Sequence, residues 1–182
     1  MKQKTDFASL TTAELIQLRA AIDEEIASRK PSAAPAAPPP LSPGKTNKVI
    51  TFTDGASRGN PGHAGIGVLI FNDAGDKILQ DCRYIGITTN NEAEYRALLL
   101  ALDRAYEITQ DTVECYLDSE LVVRQITGRY QVKSEKMAGF LAEVKQRIAR
   151  FRHVSFHNVP REHPRLQLAD KMANRGIDEA KK

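Results

Sequence analysis

KVITFTDGASRGNPGHAGIGVLIFNDAGDKILQDCRYIGITTNNEAEYRALLLALDRAYEI, residues 48–108, decides the fold. Lys48–Thr53 alternates apolar and polar residues as a strand does, and the Asp54-Gly55 pair is expected to end it. Gly65–Asn72 and Lys77–Ile87 carry two further strand patterns, separated by turn residues at Asn72–Gly75. Connections this short join antiparallel neighbours, so the three strands should form a meander. Asn90–Ile108 is rich in Ala, Leu and Glu and reads as a helix.

Downstream the pattern keeps alternating. Thr112–Leu117 reads as a strand, and Ser119–Thr127 as a short helix ended by Gly128. Lys136–Phe151 is helical, with Phe140, Val144, Ile148 and Phe151 on one stripe. His153–Val159 is a strand that includes His157, and Gln167–Ala180 is a final helix. The order is βββαβααβα. Three antiparallel strands followed by αβ units predict an α/β fold: a five-stranded mixed sheet with helices on both faces.

Upstream, residues 9–30 read as one amphipathic helix, with Thr11 and Glu14 at capping-box spacing. Leu15, Leu18, Ile22 and Ile26 form its apolar stripe. One such helix is not stable alone, so it must dock: on the main domain, on a second copy, or on a partner protein. Met1–Lys30 has near-balanced charge and holds one Phe and no Tyr or Trp, which suits protein docking or dimerisation. PSAAPAAPPPLSP, Pro31–Pro43, contains six of the nine prolines and no charge, and reads as a semi-extended linker. The expected organisation is a helix at 1–30, a linker at 31–47 and a main domain at 48–182.

Composition narrows the function classes. No apolar run reaches the roughly 18–20 residues that span a bilayer, and Met1–Ser9 lacks a signal-peptide core, so no membrane is implied and a cytoplasmic location is expected. Cys82 and Cys115 are too few for a disulfide framework and lack metal-site spacing. The net charge of +3 decides nothing, but its distribution is uneven. From Arg124 to Arg152 the cations are Arg124, Arg129, Lys133, Lys136, Lys145, Arg147, Arg150 and Arg152, opposed only by Glu135 and Glu143. This run reads either as a phosphate-binding surface or as a solvated helix face.

The carboxylates point to chemistry. Asp54 and Asp118 both fall at predicted strand ends, where sites gather in α/β sheets. A fourth strand pairing in parallel with the first would set them side by side. Glu94 lies in the first turns of the helix opened by Asn90 and Asn91, and Asp170 lies early in the last helix. Clustered carboxylates repel, and hard divalent cations such as Mg²⁺ relieve that repulsion. Two such ions about 3.5–4 Å apart suit phosphoryl displacement. The competing reading is structural: Asp54 as a turn residue, Glu94 and Asp170 as charges at helix starts.

Four blocks carry a family resemblance. TDGASRGNPGHAGIG (Thr53–Gly67), TTNNEAEYRALLLAL (Thr88–Leu102), YLDSELVVRQITG (Tyr116–Gly128), and VPREH followed by LADKMAN within Val159–Asn174 resemble the type 1 ribonuclease H family, in family order. The resemblance implies a ribonuclease H-like fold and hydrolysis of the RNA strand of RNA/DNA hybrids with two Mg²⁺ ions, for which Mn²⁺ can substitute. It implies 5′-phosphate and 3′-hydroxyl ends. It puts the metal-binding carboxylates at Asp54, Glu94, Asp118 and Asp170. It puts minor-groove contacts at Asn60, Asn90, Asn91 and Glu120, where the 2′-hydroxyl distinguishes RNA. Asn60 also reads as a turn residue before Pro61.

The chain departs from the family in two places. The basic insertion of some bacterial members is absent, and the short Thr127–Met137 stretch resembles archaeal-like and related bacterial forms. In HPRLQLAD the Asn usually found before Ala-Asp is missing. Some members place a mobile catalytic histidine in this loop; His163 is the candidate, the alternative being a surface loop residue. Rival readings are a nuclease of the same fold acting on double-stranded RNA, and a non-catalytic hybrid-binding module.

Overall fold

A computed structural model describes Thr11 and residues 46–180. The expected helix at 9–30 and the linker lie outside the described residues, apart from Thr11, Thr46 and Asn47. The elements are β1 (Lys48–Gly59), β2 (Gly62–Asn72), β3 (Lys77–Thr88), α1 (Asn90–Ile108), β4 (Thr112–Leu117), α2 (Glu120–Ile126), α3 (Glu135–Ile148), β5 (His153–Asn158) and α4 (Pro164–Glu179). This is the βββαβααβα order expected from the sequence. Among the described residues no helix is long and apolar enough to cross a membrane.

The five strands form one sheet in the order β3-β2-β1-β4-β5. The β1–β2 and β2–β3 pairs are antiparallel, and β1–β4 and β4–β5 are parallel. Asp54-Gly55 does not end β1. The antiparallel ladder runs through Asp54↔Gly67 to Gly59↔Gly62, because β2 supplies a partner for every residue. Only the parallel pairing with β4 stops early, at Phe52↔Tyr116. Asp54 therefore sits where β1 parts from β4 while β1 itself continues.

Alternation sends the side chains of β1 and β2 to two buried faces. On one face Val49, Val68, Ile70, Val113 and Cys115 pack with Tyr95, Leu98 and Leu102 of α1, and with Val144 of α3. On the other, Phe52, Leu69 and Phe71 pack with Leu166 and Ala169 of α4. α4 begins at Pro164, three residues earlier than expected. Proline fits the first helical position because its missing N–H has no intrahelical partner there.

α4 lies directly on the β2 backbone. A Cβ on Gly65 would come within 2.2 Å of the Ala173 carbonyl oxygen, and one on Gly67 within 2.1 Å of that of Ala169. Since Gly67 pairs with Asp54, this approach sets Asp170 above the strand that carries Asp54. Gly67→Ala is expected to cost about 1–3 kcal/mol through overpacking. That corresponds to a Tm loss of roughly 5–12 °C for a domain of this size. Gly139→Ala, where a Cβ meets nothing within 4 Å on α3, should instead stabilise by about 0.4–1 kcal/mol. Thermal unfolding measures both; equal Tm values for the two variants would contradict the backbone contact.

Candidate active site

Three carboxylates converge where β1 and β4 separate. Asp54 comes from β1, Glu94 from the second turn of α1, and Asp118 from the residue after β4. One ligand oxygen from each lies within 4.8 Å of the others. Asp54 and Glu94 are only 3% and 4% exposed. Asp54 Oδ2, Glu94 Oε2 and Asp118 Oδ1 are buried without a hydrogen-bond partner.

Local sequence explains how each group arrives. Thr89 caps α1, its hydroxyl accepting from the Glu92 N–H at 3.4 Å. Gly55 then admits the helix: a Cβ there would fall 2.3 Å from the Glu94 backbone nitrogen. The Gly55 N–H holds the Glu94 carboxylate. At the end of β4, Asn158 Nδ2 donates to the carbonyls of Leu117 (3.2 Å) and Asp118 (2.9 Å), fixing the turn into α2. Ser119 caps α2 by accepting from the Val122 N–H at 3.4 Å.

Asp170 stands at the edge of this cluster. Arg161, in the β5–α4 connection, bridges the two: its Nη2 donates to Asp170 Oδ1 at 3.0 Å, and its Nε lies 3.9 Å from Asp118 Oδ2. Sequence reasoning missed Arg161 as a site residue. The available signal was the VPRE run next to the last carboxylate block.

Electrostatics follow from burial and like charge. Burial, reinforced by Asp118 and Asp170, pushes Asp54 up to about 7, against the opposing pull of Arg161. Burial, with Asp54 and Asp118 adding to it, raises Glu94 well above the usual carboxylate range. Burial also raises Asp118, while Arg161 opposes the rise. Three carboxylates with unpartnered buried oxygens, each offering an oxygen within 4.8 Å of the others, match the donor set that Mg²⁺ and Mn²⁺ take. The donor set therefore fits a divalent cation.

The other expected residues fall in two groups. Asn60, Asn90 and Asn91 are exposed beside the cluster, and Asn60 Oδ1 accepts from the Asn90 N–H at 3.2 Å. Glu120 is exposed at the start of α2 and ion-paired to Arg124. His163 lies where the β5–α4 connection enters α4. It is the N-cap of α4, its Nδ1 accepting from the Arg165 N–H at 3.3 Å, and it stacks on Phe52 at 5.1 Å. The cap bond and the ring contact place it between α4 and β1. Most of the basic run is also internally paired. Arg147 and Arg150 reach Asp103, Arg152 reaches Asp111, Lys136 reaches Glu92, and Arg124 reaches Glu120. Arg129, Lys133 and Lys145 have no ion pair among the described residues.

A raised carboxylate pKa means that folding takes up protons, so stability falls as pH rises from the ordinary carboxylate value toward about 7. Without metal, wild-type Tm should therefore drop between pH 5 and pH 8. Asp54→Asn should lose part of that drop, the share due to Asp54, and exceed wild type at pH 8 by roughly 3–6 °C. Divalent cation should flatten the wild-type profile. Thermal scans in chelator and in Mg²⁺ test this; an Asp54→Asn protein less stable than wild type at pH 8 would contradict it.

Comparisons with known proteins agree with this geometry. Residues 52–176 match the family model described as reverse transcriptase-like. The chain is 34% identical over 140 residues to a ribonuclease HI of Halobacterium salinarum, covering 77% of this chain and 69% of that one. It is 37% identical over 134 residues to a bifunctional protein of Mycobacterium tuberculosis, but spans only 36% of that relative's length. Among solved structures, the Halobacterium salinarum ribonuclease H1 has a TM-score of 0.69 at 33% identity, covering 72% of this chain and 98% of that one. A ribonuclease H1 isolated from compost, solved in complex with an RNA/DNA hybrid, also has a TM-score of 0.69, at 38% identity, covering 74% and 99%. By matched model, sequence identity and fold, the chain belongs to the ribonuclease H family.

Proposed function

We propose that this chain is an endonuclease that hydrolyses the RNA strand of RNA/DNA hybrids, with Mg²⁺ as its natural cofactor and Mn²⁺ as a substitute. The observation that carries this reading is the trio of buried, unpartnered carboxylate oxygens from Asp54, Glu94 and Asp118. The relatives named ribonuclease H support it, as does the hybrid bound to a family member of the same fold.

Asp54, Glu94, Asp118 and Asp170 would hold two cations. A bound divalent cation supplies a Lewis acid that makes water a better nucleophile and offsets charge on phosphoryl oxygens. The chain's own residues orient and select. Asn60, Asn90 and Asn91 line the approach and offer donors and acceptors to the minor groove, where the 2′-hydroxyl marks the RNA strand. The Asn60–Asn90 bond makes the β1–β2 turn and the α1 start a single surface. Glu120 contacts the same groove from the far side of Asp118. Arg161 holds Asp170 toward the cluster and adds a cation beside the carboxylates. Water oxygen bonds to phosphorus and gives up a proton to solvent, the P–O3′ bond breaks, and the leaving 3′-oxygen takes a proton from solvent. The products carry 5′-phosphate and 3′-hydroxyl ends. His163, which caps the first turn of the helix that carries Asp170, is the candidate to assist protonation or product release.

The test is cleavage of an end-labelled RNA/DNA hybrid with Mg²⁺ or Mn²⁺, beside single-stranded RNA, double-stranded RNA and double-stranded DNA. Only the RNA of the hybrid should be cut, and chelator should abolish cutting. Arg161→Ala should lower kcat about 10–100-fold, the usual cost of losing a ligand's supporting partner, and Asp54→Asn by more than that. A folded protein that leaves the hybrid intact with either metal would refute the enzyme reading. Equal cutting of double-stranded RNA would move the substrate assignment.

A further inference from the structure

A second cavity opens on the far side of Asp118, between α2 and β5. It holds about 330 Å³ and is lined by Glu120, Arg124, Thr127, Arg129, His157 and Asn158. Two guanidinium groups and an imidazole face one carboxylate. That carboxylate, Glu120, is already engaged by Arg124. Arg124 is held in place from three sides: by Glu120, by the Tyr130 hydroxyl at 2.6 Å, and by the Tyr130 ring 4.9 Å away. Arg129 has no ion-pair partner among the described residues.

The cavity's position gives it a purpose. Asn158 lines it and also donates to the Asp118 carbonyl at 2.9 Å, so its wall is built on the same turn that presents a cluster carboxylate. A polyanion lying across the carboxylates meets repulsion there. A cationic pocket directly beside them offsets that repulsion and fixes the strand's register. Guanidinium groups suit this task because their planar fork matches two phosphate oxygens at once. A solvated helix face would account for the Glu120–Arg124 pair. It would not account for Arg129 and His157 lining the same half-open volume.

We propose that this pocket binds a backbone phosphate of the nucleic acid strand lying across the carboxylates, with Arg129 as the principal contact and Arg124 as a preset second one. The assignment rests on the nucleic-acid reading given above. It adds a positioning site on the β5 side of the cluster, opposite the Asn60–Asn90 surface.

The test measures hybrid binding by cleavage-impaired Asp54→Asn protein from 50 to 200 mM KCl, alone and with Arg129→Ala or Lys77→Ala added. Lys77 lies at the opposite end of the sheet and serves as the control. Arg129→Ala should weaken binding about tenfold at low salt and reduce the slope of log K against log salt by about one. Lys77→Ala should change neither. A single uncharged methylphosphonate moved along the RNA strand should weaken binding at one linkage near the cleaved bond, and Arg129→Ala should erase that sensitivity. An unchanged slope in Arg129→Ala, or an equal loss in Lys77→Ala, would overturn the pocket while leaving the enzyme reading intact. Competition by inorganic phosphate alone, without linkage-specific sensitivity in the hybrid, would also overturn it as a strand clamp. Failure of the protein to bind any hybrid would overturn both readings together.

Discussion

Three carboxylates share one small volume in this fold, two of them almost wholly shielded from water, and among the described residues no cation neutralises all of them. Like charges at such distance destabilise the folded chain unless protons or metal ions intervene. The surrounding structure is arranged to hold that costly geometry. Gly55 lets the α1 backbone press against β1, bringing Glu94 to Asp54. The parting of β1 from β4 sets Asp54 and Asp118 at adjacent positions. Gly65 and Gly67 let α4 settle on β2, which carries Asp170 to the rim. Each of these approaches is backbone against backbone, so small residues are required at each and side-chain adjustment cannot replace them.

The cations are distributed to match. Arg161 is the one placed between two carboxylates of the site. Arg147 and Arg150 both reach Asp103 of α1, and Arg150 lies 3.6 Å from the centre of the Tyr106 ring. Much of the basic run therefore ties α3 to α1. Lys136 does the same work at the other end of α3, through Glu92. The charge that remains for a polyanion is local, at Arg129 and its neighbours.

Much of this was legible from residue patterns. Strand alternation, the short turns and the periodic stripe of α3 report directly on burial, so element order and sheet class followed from them. The parallel pairing that joins Asp54 to Asp118 also followed, because a fourth strand after a meander has few places to go. Three features escaped. Asp54-Gly55 looked like a strand end, since local turn chemistry cannot reveal that β2 runs on beside it. The start of α4 was placed late because Pro164 and Arg165 weaken a periodicity signal, although proline at a first helical position is itself a start signal. Arg161 and the placement of His163 depend on contacts between segments distant in the chain, and Phe52 lies more than a hundred residues from the histidine that it stacks on. The charges of the basic run could be counted but not paired, for the same reason.

The central claim is that the buried carboxylates form a divalent-cation site. The most direct measurement is titration of paramagnetic Mn²⁺ into isotope-labelled protein, followed by backbone amide NMR. The account predicts broadening that starts at Asp54, Gly55, Glu94 and Asp118, is reversed by chelator and is absent in Asp54→Asn. Broadening centred elsewhere, or none at millimolar Mn²⁺, would contradict it.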